Sequence, residues 1–335
     1  MAVDRLIWKI ALDFFVLLCV AFPLLGFLLW AEPYHRGYFA DDYSLRLPYK
    51  QQQISEGLLA GLGFAFIIVT VVITEFVRDK RGNSVGEKFV SGWLVPGWAW
   101  ESYVTVGVYT FGAACQQLTV NAAKYVIGRL RPHFFDLCRP IPNSSSPLNE
   151  LGYIQAYTCS GASAAQLKEM RLSFPSAHAS FAMYTAVFFI VKGKWRGSKL
   201  LRHGCQFAAL IAAWYVGLSR VVDHMHHWSD VTVGFIVGFA FGAIIFYIQV
   251  KGKWRGSKLL RHGCQFAALI AAWYVGLSRV VDHMHHWSDV TVGFIVGFAF
   301  GAIIFVYVLK PKKYGMPRSW ETGPPEMLPQ PVMSR

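Results

Sequence analysis

Long apolar runs separated by short basic stretches set the pattern of this chain. Runs long enough to cross a hydrocarbon core of about 30 Å occur near 10–30, 58–77 and 103–127. Others lie near 174–191, 205–222, 231–250, 264–281 and 290–309. The pattern predicts eight transmembrane helices, with two large polar segments at 31–56 and 128–172. The first run has no small-residue cleavage site and is too long for a signal-peptide core, so it reads as a retained signal anchor.

Two of these spans repeat earlier ones. Residues 191–246 recur letter for letter at 250–305, 56 residues at a period of 59. Solenoid repeats drift in detail and need about three copies to build a core. A pair without drift is instead one segment doubled, by a recent tandem duplication, an exon counted twice or an error in assembling the sequence. The expected fold class is therefore all-α: a polytopic transmembrane helical bundle with a six-span core plus two duplicated spans. The expected organisation is a core over 1–250, a duplicate over 251–309 and a disordered cytoplasmic tail over 310–335.

Composition supports this and narrows the function. The 335 residues are 54% hydrophobic and only 15% charged, against about 25% charged in soluble domains. The net charge of +13 would suggest nucleic acid, but the basic residues cluster between apolar spans as membrane topology requires. Nucleic-acid binding, disorder and a small disulfide scaffold are excluded. With a cytoplasmic N-terminus, the inner segments 1–9, 78–88, 192–202, 251–261 and 310–335 hold 21 Lys and Arg. The outer segments 31–56 and 128–172 hold 3 and 5, a bias that sets orientation. Both termini are then cytoplasmic. Asn143 heads a glycosylation sequon and Cys138 and Cys159 can form a disulfide, all in one outer segment.

Ionisable residues at membrane edges are costly and mark function. Three clusters do so here. Lys124 and Arg131 are seven apart, which predicts one helical face with Pro132 as terminator. Ser176 at a predicted helix start makes an anion site with the backbone amides, and His178 follows two residues later. Arg220, His226 and Asp230 lie in the turn between the fifth and sixth spans. The spacing of four lets Asp230 hold one nitrogen of His226 and leave the other nucleophilic. The imidazoles raise a metal site as a rival, but Lys124, Arg131 and Arg220 repel a divalent cation and attract an oxyanion. No metal and no cofactor are expected. All three clusters open onto one extracytoplasmic face.

The pattern Lys-x6-Arg-Pro, then Pro-Ser-x-His, then Ser-Arg-x5-His-x3-Asp resembles the type 2 phosphatidic acid phosphatase superfamily, and within it the integral-membrane lipid phosphate phosphatases. The resemblance runs from about Arg36-Gly37-Tyr38-Phe39 through the sixth span and includes the run Gly128–Phe134. It implies a hydrolase acting without metal on phosphatidate, lysophosphatidate, sphingosine 1-phosphate or similar lipids, at the outer or lumenal face of a plasma membrane or endomembrane. Position by position, Lys124, Arg131, Ser176 and Arg220 would bind phosphate. His226 would form a phosphohistidine, Asp230 would orient it, and His178 would protonate the leaving alcohol. The resemblance also leaves room for a homo-oligomer. The rival reading is a catalytically silent membrane relative that binds lipid phosphates or partner proteins.

The chain departs from the family twice. Ala177 stands where the family usually has Gly, a cost on the order of 1 kcal/mol if φ there is positive and little otherwise. Arg279, His285 and Asp289 match the third motif as well as the first copy does. Only one set can complete one site, and the short inner turn between the fourth and fifth spans favours the first copy.

Overall fold

The computed structural model describes residues 2–83, 86–90, 92–149, 151–192, 198–251, 258–281 and 284–303. The expected tail over 310–335 lies outside the described residues. Within the described residues, each of the eight apolar runs contains a helix. These are α1 (Ala2–Leu29), α2 (Glu56–Lys80), α3 (Gly97–Ile127), α6 (Ala177–Lys192), α7 (Lys199–Val222), α8 (Trp228–Lys251), α9 (Lys258–Val281) and α10 (Trp287–Ile303). Two short helices, α4 (Phe134–Cys138) and α5 (Ala164–Glu169), lie between α3 and α6. Among the described residues, four helical segments are long and apolar enough to cross a membrane: Leu6–Leu29, Glu56–Lys80, Lys199–Val222 and Trp228–Ile245.

Local chemistry fixes several helix ends. Ser55 caps α2 by accepting the Leu58 N–H, Glu56 sits in the first turn, and Arg78 and Lys80 sit in the last. These charges complement the helix dipole at both ends. Ser163 and Gln166 form a capping box at α5. Large apolar side chains of α1 and α2, among them Leu18, Phe22, Leu62 and Val69, face outward, as a lipid-facing surface demands.

The chain forms two compact units, Met1–Val281 and Asp282–Arg335. In the first, α6 packs on α2, α3, α7 and α8, while α9 packs on α1 and α3. Its core gathers Tyr109, Phe111, Phe181, Tyr184 and Phe188 with Val16, Ile67 and Phe266. The closest helix contact rests on glycine. A Cβ at Gly234 would lie 2.6 Å from the Ser176 carbonyl oxygen, and one at Gly238 would lie 2.1 Å from that of Ser180. Small residues four apart on α8 thus bring its backbone against α6. The described part of the second unit holds α10 and the turn before it.

Residues 31–55 and 128–176 fold over one end of this first bundle. Strand β1 (Tyr38–Phe39) pairs antiparallel with β5 (Tyr153–Ile154), and β4 (Pro140–Pro142) with β6 (Tyr157–Cys159). Cys138 and Cys159 are joined by a disulfide, with Cα atoms 4.6 Å apart. Asn143 is exposed beside this hairpin. A third pair, β2 (Lys88–Val90) with β3 (Trp93–Val95), lies between α2 and α3.

Candidate active site

Lys124 occupies the last turn of α3 and is only 4% exposed. The helix stops at Gly128, whose φ is 59°, and a Cβ there would lie 2.1 Å from the Tyr34 carbonyl oxygen. Both the left-handed backbone and the close approach require glycine. The expectation that Arg131 shares a helical face with Lys124 is corrected here, because the glycine cap ends the helix four residues before Pro132. Arg131 enters the site from the following segment instead, anchored by its N–H to the Met170 carbonyl at 2.8 Å.

The second cluster opens α6. Ser176 is fully buried, its N–H donates to the Asp230 carbonyl at 3.0 Å, and its hydroxyl oxygen accepts the Ala179 N–H at 3.4 Å. It caps α6 and ties the second motif to the third, and it lines neither cavity described below. Ala177 has no positive φ, so alanine meets no backbone penalty there. His178, in the first turn, has its Nε2 3.1 Å from the Ile54 carbonyl oxygen. A carbonyl only accepts, so Nε2 carries the proton.

The third cluster spans the turn from α7 to α8. Arg220 is 1% exposed and donates through Nη2 to Asp223 Oδ2 at 2.8 Å and through Nη1 to Gln52 Oε1 at 3.2 Å. His226 Nδ1 lies 2.6 Å from the Ser173 carbonyl oxygen. By the same logic Nδ1 holds the proton and Nε2 is left with its lone pair. Asp230 Oδ2 is 3.8 Å from His226 Nδ1, so the direct acceptor is the Ser173 carbonyl and the carboxylate stands behind it. Burial pushes the His226 imidazole down to about 3, against the opposing pull of Asp230. The ring is therefore neutral at physiological pH.

These clusters converge on two adjoining cavities. One, of about 340 Å³, is lined by Arg131, His178, Arg220 and His226 together with Glu56 and Glu169. Glu169 pairs with Arg131 and Asp223 with Arg220, so two of the cations have carboxylate partners. The other cavity, of about 370 Å³, holds Lys124 and His178 against apolar walls that include Leu24, Leu59, Phe64 and Phe181. His178 and Glu56 line both. Among the described residues no carboxylate pairs with Lys124, and no three His, Cys, Asp or Glu side chains converge to hold a metal.

Sequence reasoning missed several contributors. Ser173, Glu169, Gln52 and Ile54 act through contacts to residues far away in the chain, which spacing alone does not reveal. Arg129 stood inside the quoted run Gly128–Phe134 but had no role there. The structure aims it at Asp230, with Nη1 2.5 Å from Oδ1. In the second copy, His285 Nδ1 lies 3.9 Å from Asp289 Oδ2, and these side chains are 56% and 52% exposed. Arg279 is exposed in the last turn of α9.

A profile of the PAP2 superfamily matches residues 105–254 and again residues 249–313. A Drosophila melanogaster relative, provisionally named a phosphatidate phosphatase, is 42% identical over 251 residues, which cover 70% of this chain and 66% of that protein. The chain thus spans just under two thirds of that relative's length. Phospholipid phosphatase 1 of Mus musculus is 38% identical over 248 residues, covering 70% of this chain and 82% of its own. Phospholipid phosphatase 2 of the same species is 38% identical over 233 residues, covering 68% and 81%. No solved structure matches the chain.

Proposed function

The chain belongs to the PAP2 superfamily, and from that premise we propose that it is an integral-membrane phosphatase of lipid phosphate monoesters. The observation that carries the proposal is the cavity of about 340 Å³ in which Arg131 and Arg220 face His178 and His226. Phosphoryl transfer needs positioning and charge neutralisation more than covalent help, and fixed guanidinium and ammonium groups supply both. The adjoining apolar cavity suits a hydrocarbon chain attached to the same phosphate.

The mechanism follows from the two tautomers. Arg131 exchanges Glu169 for a phosphate oxygen, and Arg220 and Lys124 take the others. The bare Nε2 of His226 attacks phosphorus, a P–N bond forms and the P–O bond to the lipid breaks. His178 takes up the proton that the bound phosphate monoester monoanion carries, gives the leaving alkoxide a proton from Nε2 as an imidazolium, and returns to neutral imidazole as the lipid alcohol departs. The same nitrogen then takes a proton from water, whose oxygen attacks phosphorus, breaks the P–N bond and releases inorganic phosphate. Covalent catalysis thus divides one hard displacement into two. Ser176 supports the site as the cap of α6.

The substrate class is phosphatidate, lysophosphatidate, sphingosine 1-phosphate and similar lipids. The site faces outside or lumen, a reading supported by the basic bias of the inner segments, the exposed Asn143 and the Cys138–Cys159 disulfide. Phosphate release from lysophosphatidate by membranes carrying the chain, in EDTA, tests the proposal. Undiminished release is expected. No release, or release lost to the chelator, would overturn it, and retained lipid-phosphate binding without release would identify a silent relative.

A further inference from the structure

Ser173 joins three parts of the site through three different atoms. Its carbonyl accepts the Nδ1 proton of His226 at 2.6 Å, its hydroxyl donates to Asp230 Oδ2 at 2.6 Å, and its N–H donates to the Arg129 carbonyl at 3.1 Å. The residue is 0% exposed. Serine hydroxyls commonly satisfy themselves on nearby backbone, whereas this one reaches across 57 positions. Arg129 completes the set: Nη1 donates to Asp230 Oδ1 at 2.5 Å and to Ser229 Oγ at 2.9 Å. Asp230 also accepts the N–H of His227 at 3.0 Å and has His227 Nδ1 at 3.2 Å. The carboxylate is saturated by these partners, and His226 is left to the Ser173 carbonyl.

We propose that Ser173 and Arg129 are positioning residues for the phosphatase reaction, setting the tautomer and direction of His226 through the Ser173 carbonyl and the anchored Asp230 carboxylate. The inference rests on the reading under Proposed function. A carbonyl that can only accept keeps the Nε2 lone pair free for phosphorus. The Ser173 hydroxyl holds that carbonyl in register with Asp230, and the guanidinium of Arg129 fixes the carboxylate in turn. When His226 bonds phosphorus its ring becomes cationic, and both the carbonyl dipole and the carboxylate 3.8 Å away stabilise that charge. Partners standing behind a reacting imidazole set its orientation and basicity.

The test uses the full chain in detergent with radiolabelled lysophosphatidate and rapid acid quench. The burst amplitude counts intact sites and the burst rate reports attack by His226. Ser173→Ala is expected to lower the burst rate roughly tenfold to a hundredfold, the range for loss of such outer partners, with amplitude and KM within about twofold. Because Ser173 and Asp230 act as one unit, Ser173→Ala added to Asp230→Asn should cost little beyond Asp230→Asn alone. Arg129 is 32% exposed, and Arg129→Gln should slow the burst while Arg129→Lys should restore most of it. An unchanged burst rate in Ser173→Ala, additive losses, or equal effects of Arg129→Gln and Arg129→Lys would overturn the proposal. Should Ser173→Ala fail to fold, the Arg129 pair decides alone. Failure of the wild-type chain to release phosphate would instead bring down the phosphatase reading, and the positioning roles with it.

Discussion

The two copies of the repeat carry the same residues and form the same helices where described, yet only the first copy's His–Asp pair is buried. His226 and Asp230 stand 3.8 Å apart, His285 and Asp289 3.9 Å. The N–H of His227 reaches Asp230 Oδ2 at 3.0 Å, and that of His286 reaches Asp289 Oδ2 at 3.0 Å. The paired side chains are 2% and 0% exposed in the first copy but 56% and 52% in the second. Sequence therefore dictates the start of the helix, while the desolvated environment of the first pair comes from its neighbours in the fold. Ser173 and Ser176 are those neighbours. The glycines repeat the lesson: Gly234 and Gly238 press on the backbone of α6, whereas Gly293 and Gly297 have no described atom within 4 Å.

The largest expected difference between the copies is catalytic. His226→Ala should lower kcat by about a thousandfold or more, as loss of a covalent nucleophile does, while His285→Ala should leave phosphate release within about twofold. Equal losses from the two variants would break the comparison. The next difference is one of sign. Gly238→Ala drives a methyl into the Ser180 carbonyl and should destabilise by about 1–3 kcal/mol. Gly297→Ala meets no close atom among the described residues and should stabilise its helix by up to about 1 kcal/mol, and melting of the detergent-solubilised variants reads both. The smallest difference is in acid. Burial holds His226 down to about 3 and His133 down to about 4, so below about pH 6.5 the unfolded chain binds protons that the folded chain refuses. Their contribution is complete above about pH 6.5 and is lost as pH falls towards those values, by up to roughly 1.4 kcal/mol per pH unit for each group. Melting temperature measured from pH 7 to pH 4 should fall less steeply in His226→Gln than in the wild type, and should be unaltered in slope by His285→Gln.

Much of this was legible in the chain because apolar periodicity and burial in lipid share one cause. Every apolar run is helical over most of its described residues, although α3 begins at Gly97, ahead of the expected 103, since Trp98, Trp100 and Glu101 interrupt the apolar signal. The fourth run is helical only from Ala177, because Ser176 caps the helix. Lys124, Arg131, Arg220, His178 and His226 were recognisable as charge and imidazole where neither is cheap. The direct partner of His226 was not, because a main-chain carbonyl has no letter of its own. The break after Lys124 was marked by Gly128, but a glycine declares its left-handed backbone only once Tyr34 is packed against it.

The central claim is that a single buried imidazole, supplied by the first copy, carries the phosphoryl group. Alkali-quenched, base-stable labelling from lysophosphatidate radiolabelled on phosphorus, followed by peptide mapping at alkaline pH of an Arg279→Lys chain whose substitution distinguishes the copies, measures this directly. The account predicts label on His226 and none on His285. Label on His285, or turnover with no labelled histidine, would contradict it.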